Sequence, residues 1–165
     1  MRFTFLLVLT ILPLNLAKQS LADSSPPASC VPTPIHYGAN RSVAGAPPDV
    51  PWIVATPKSA HIIGFLFFVP PGATGQDALM RTGGRGPNGR SDKILWYITR
   101  GRPTRTLTIT GKNLSSSDSM RQTFPVASSG YPSILDIPTA GCWKLTIRSG
   151  KIRGHVTFQV LSYQE

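Results

Sequence analysis

The stretch from Cys142 to Val160, "CWKLTIRSGKIRGHVTFQV", alternates apolar and polar side chains twice, once on each side of "GKIR". Trp143, Leu145 and Ile147 share one face, opposite Cys142, Lys144, Thr146 and Arg148. Past Gly154, Val156, Phe158 and Val160 repeat the pattern. A period of two marks strands with one dry face and one wet face, and "GKIR" turns the chain between them.

Upstream the same signal recurs. "KILWYITR" (93–100) sets Ile94, Trp96 and Ile98 opposite Leu95 and Tyr97, and "RTLTITG" (105–111) sets Leu107 and Ile109 opposite Thr106, Thr108 and Thr110. The short connection through Gly101 and Pro103 reads as a hairpin. "WIVAT" (52–56) is a brief strand between prolines, while "AHIIGFLFFVP" (60–70) is apolar on both faces, as a strand covered on two sides requires. Within it Gly64 marks a bulge or a close backbone approach. "MRQTFPV" (120–126) reads as an edge strand because Pro125 lacks a ladder donor. "SILDI" (133–137) adds another, with Asp136 expected to meet solvent or a cation such as Lys144 or Arg148. The expected fold is all-β: an immunoglobulin-like antiparallel β-sandwich of about seven or eight strands, with a small barrel as the alternative. Its core is expected from Trp96, Ile98, Leu107, Ile109, Trp143, Leu145, Ile147, Val156, Phe158 and Val160.

Ahead of this domain (51–165) stand two other segments. Residues 1–22 carry Arg2, an apolar run and the small residues Ser20 and Ala22, the pattern of an export signal cleaved before Asp23, with cleavage after Ala17 as second choice. Residues 23–50 are rich in Pro, Ala, Ser and Gly and read as an extended arm with Ile35, Tyr37 and Val43 as occasional anchors. The formal charge is +10, and losing Arg2 and Lys18 with the leader leaves +8. Such an excess of cations favours an anionic cell-wall polymer, a membrane surface or another envelope protein as partner, with nucleic acid disfavoured for an exported chain.

The chain has two cysteines. Cys142 points away from the tryptophan face, and Cys30 lies in the arm. In an oxidising compartment two such cysteines pair by default, tying the arm onto the outside of the sheet. Three alternatives stand beside this: a lipid-modified Cys30, a buried free thiol, and Cys142 as a nucleophile with His155 as its base.

"KILWYITRG", "LTITGKNL", "PSILDIPTAGCWKLTIRSG" and "VTFQVL", with the early "SCVPTP", resemble an uncharacterised family of secreted or lipid-anchored bacterial β-sandwich proteins with a Pro-Thr-x-Gly-Cys-Trp step. The matching positions are Lys93, Trp96, Thr108 to Gly111 and Pro138 to Trp143. The resemblance implies the sandwich and Cys30 as the partner of Cys142, and it brings no activity with it. The long proline-rich start and "RTGGRGPNGR" depart from the family.

No cofactor fingerprint stands out. His36, His61 and His155 lack the close spacing of metal ligands, and the carboxylates are too scattered for paired acid–base work. The glycines and cations of "TGGRGPNGRSDK" lack the strand and helix of a phosphate loop. Residues 72–92 read as a long loop with at most one helical turn. A basic stripe remains as the candidate binding site: Arg81, Arg85, Arg90, Lys93, Arg100, Arg102 and Arg105, opposed only by Asp92, and anion-facing if the loop and the 100–105 turn share one end of the sandwich. The expected function is a non-enzymatic exported binding or envelope-associated accessory module. The alternatives are a hydrolase or thiol-dependent enzyme using Cys142 and His155, and a structural assembly unit.

Overall fold

A computed structural model describes residues 30–128 and 130–163; the expected leader and the first residues of the arm lie outside them. Two sheets face each other. One takes the order β1 (Trp52–Val54), β2 (Ile62–Leu66), β4 (Ile94–Ile98), β7 (Tyr131–Ser133). The other runs β3 (Met80–Arg81), β9 (Ile152–Leu161), β8 (Gly141–Ser149), β5 (Thr106–Asn113), β6 (Ser119–Pro125). Every pairing between these strands is antiparallel except β3 with β9. The fold is an immunoglobulin-like β-sandwich, with Pro125 on the edge strand as its missing donor requires.

The alternating residues fill the space between the sheets. Trp96, Leu107, Ile109, Trp143, Leu145, Ile147, Val156, Phe158 and Val160 are buried in one cluster. Ile98, at the end of β4, is only partly buried against it. Gly64 is a close approach: a Cβ there would stand 2.7 Å from Cζ3 of Trp96, whose indole lies across the backbone of β2. The indole N–H groups find acceptors, Trp96 at Ser133 Oγ (3.0 Å) and Trp143 at the Thr139 carbonyl (2.8 Å), as buried donors must.

Three expectations are corrected. β4 and β5 are not a hairpin: β4 pairs with β2 and β7, β5 with β6 and β8, and residues 99–105 cross from one sheet to the other. A polar knot holds this crossing. The Tyr131 hydroxyl donates to the Thr104 carbonyl, and the Thr104 N–H donates to Ser149 Oγ (2.8 Å). Residues 72–92 hold the one helical turn expected there, a 3-10 turn at Gly75–Ala78, but it leads into an unexpected strand, β3, where buried Met80 enters the core and pairs in parallel with β9. In "SILDI" only Ser133 lies on a strand. Asp136 itself is exposed and meets solvent, one of the two surroundings expected for it, while its N–H donates to Gln122 Oε1 (3.2 Å) on β6.

The arm is a strap. Cys30 is bonded to Cys142 on the outer face of β8, across 112 residues of sequence. The chain then pairs with β9 through the Thr33 N–H and the Thr157 carbonyl (2.8 Å), and with β1 through reciprocal backbone bonds of His36 and Trp52, whose rings stack 4.4 Å apart. Farther on, Val43, Ala46 and Val50 cover Ile63, Phe65, Leu95 and Tyr97 on the outside of the smaller sheet. That second apolar layer is why β2 is buried on both faces. Without it these side chains would form an exposed apolar patch.

Candidate functional site

The wet residues of the larger sheet form rows across four strands. Register places Thr123, Thr108, Arg148 and Arg153 in one row, Arg121, Thr110, Thr146 and His155 in the next, and Ser119, Lys112, Lys144 and Thr157 in a third. All five cations of these rows are exposed. Two pairs stand directly opposite each other on neighbouring strands: Lys112 with Lys144, and Arg148 with Arg153. Like charges so placed repel and destabilise a sheet. No Asp or Glu occupies an outward position in the three rows. Asp118, in the β5–β6 turn, accepts hydrogen bonds from the Thr139 and Ser116 hydroxyls, which hold its carboxyl below its ordinary range.

Between the cation pairs the face is hydroxyl-lined. Two shallow depressions of about 370 and 480 Å³ share Thr110, Thr146 and Arg153 and run into one groove along β5 and β8. Thr146 Oγ1 lies 3.0 Å from His155 Nδ1. Partial burial, then the neighbouring charges of Lys144 and Arg153, push the His155 pKa down. The same cations that lower it surround the imidazole with positive charge. Cations, hydroxyls and an imidazole so arranged can hold an anion.

The arginine stripe read from the sequence does not converge on one surface. Arg81 pairs with Leu161 and with Arg85, which also bridges to Ser91, and Lys93 lies over Phe67 ahead of β4. Arg90 lies beside Phe67 and Phe68 at that same end. Arg100 emerges beyond the far end of β4, beside Lys151 and Arg153, and Arg102 and Arg105 follow it in the crossing. The five residues of β4 alone separate the two groups by ~16 Å.

Asp92 does not oppose the stripe; it is fully buried. Its Oδ1 accepts from the Leu135 N–H (3.0 Å), its own N–H donates to the Gly84 carbonyl (3.0 Å), and its Oδ2 has no partner. Burial raises its pKa from 3.8 to about 7. Asp136 adds to the rise, while the Leu135 N–H opposes it.

The paired Cys142 and His155 of the enzymatic alternative are not brought together. Cys142 is oxidised and its cross-strand partner is Gln159, whereas His155 faces Thr146 two rows away. His36, His61 and His155 form no metal-holding group with other ligand side chains among the described residues. Lys112, Arg121, Lys144, Arg148 and Arg153 were missed as a site. The available signal was the outward alternation of Lys144, Thr146 and Arg148 beside that of Thr106, Thr108 and Thr110, which becomes a surface only once β5 and β8 are known to be neighbours.

No family model, curated protein or solved structure matches the chain.

Proposed function

We propose that this chain is an exported, non-enzymatic binding module of the cell envelope, and that the outer face of its larger sheet docks an anionic partner. The observation that carries this reading is the two pairs of like-charge neighbours, Lys112 with Lys144 and Arg148 with Arg153, on strands without an outward carboxylate. Each pair costs stability in the unbound protein. A polyanion laid on the face converts that repulsion into attraction. Export is supported by the leader-like start and by a long-range disulfide, which persists in oxidising compartments.

The test is a binding panel with the exported chain against immobilised acidic polysaccharide, polyphosphate and anionic vesicles at low and high salt. Saturable binding to at least one of them is expected, with affinity falling steeply as salt rises. Absence of binding to all three at low ionic strength overturns the reading.

A further inference from the structure

We infer that the ligand of this face is a linear acidic polysaccharide lying along β8, its anionic groups held by Arg148 with Arg153 at one end of the groove and by Lys112 with Lys144 at the other. The inference rests on the proposed anion-docking role and narrows it to one ligand class.

Spacing comes first. Lys144 and Arg148 are four residues apart on β8, so the two cation pairs are separated by ~13 Å along the strand. One compact anion does not bridge that distance, whereas a chain with repeating charges does. The row between the pairs holds Thr110 and Thr146, whose hydroxyls both donate and accept. Sugar hydroxyls need such partners in the stretch between one charged group and the next. Arg121 flanks this row from β6 and extends the positive field across the sheet.

The composition of the face argues against other polyanions. It carries no outward Phe, Tyr or Trp, the side chains on which single-stranded nucleic acid stacks. It also lacks the apolar anchors with which a protein surface seats itself in a lipid interface; exposed Leu114 stands alone at the rim of the groove. Because the groove is open and runs along β5 and β8 from one cation pair to the other, it suits an extended chain passing through it.

The experiment measures binding of the exported chain to a short fluorescent heparin oligosaccharide and to polygalacturonate, beside short duplex DNA and phosphatidylglycerol vesicles. Both glycans are expected to bind at about 50 mM salt and to weaken by about tenfold or more at about 200 mM. Lys112→Ala with Lys144→Ala, and Arg148→Ala with Arg153→Ala, are each expected to weaken glycan binding by about tenfold or more. Arg85→Ala with Arg90→Ala is expected to change it by less than about twofold. Thermal melting checks folding: removing a repelling pair leaves the melting temperature unchanged or raises it. Glycan affinity untouched by both face variants, or lost on Arg85→Ala with Arg90→Ala, overturns the inference. Binding of vesicles or duplex without binding of either glycan removes the ligand class while leaving the anion-docking module in place. No binding to any of the four removes both.

Discussion

Asp92→Asn isolates the one buried carboxyl that lacks a full set of partners among the described residues. The amide oxygen of the variant can still accept from the Leu135 N–H, so the substitution changes charge and leaves the shape of the site nearly intact. In the wild type the folded-state pKa is raised from 3.8 to about 7. The native state therefore holds a proton that the unfolded chain releases. The stability this contributes is fully present below about pH 4 and is lost progressively as pH rises through about 7. A rise of that size corresponds to about 4 kcal/mol. The amide of the variant cannot ionise, so the stability of the variant minus that of the wild type should grow by about 4 kcal/mol between pH 4 and pH 8. Urea unfolding of both proteins with the disulfide intact, at several pH values, gives this difference while other titrating groups cancel. A difference that stays constant across the range would falsify the placement of a buried, unpaired carboxyl at this position.

Two further outcomes follow from particular contacts. Replacing Cys30 and Cys142 together by serine releases a 112-residue loop in the unfolded chain. Chain entropy sets the expected loss at about 4–5 kcal/mol, read from urea midpoints, with proteolysis of the strap at residues 30–50 appearing first. Gly64→Ala drives a methyl into the indole of Trp96, and a loss of about 1–3 kcal/mol is expected from denaturant unfolding, because the ring is fully buried and has little room to give way.

The strands were legible because their alternation is a local property. Trp143, Leu145 and Ile147 face inward whichever strands lie beside them, and the apolar doubling of "IIGFL" announced a second covering layer before the strap that supplies it could be placed. Strand order is not local. Lys112 and Lys144 stand 32 positions apart in sequence and become neighbours only through the β5–β8 register. The stripe from Arg81 to Arg105, close together in sequence, is divided by the length of β4. Asp92 misled for a related reason: the glycines before it read as a solvated loop, yet Gly84 folds back against Ile134 and the Leu135 carbonyl and closes the site over the carboxyl. The turn through Gly101 and Pro103 looked like a hairpin because nothing local reports the Tyr131 and Ser149 groups that hold it in its crossing path.

The anion-docking face is tested most directly by following backbone amide resonances of the isotope-labelled exported chain while a short acidic oligosaccharide is added at low salt. Shifts are expected to concentrate on Thr110, Thr146, Arg148 and Arg153 and to vanish as salt is raised. Shifts confined to Arg85 and Arg90, or to the 100–105 crossing, or no shifts at all, would contradict it.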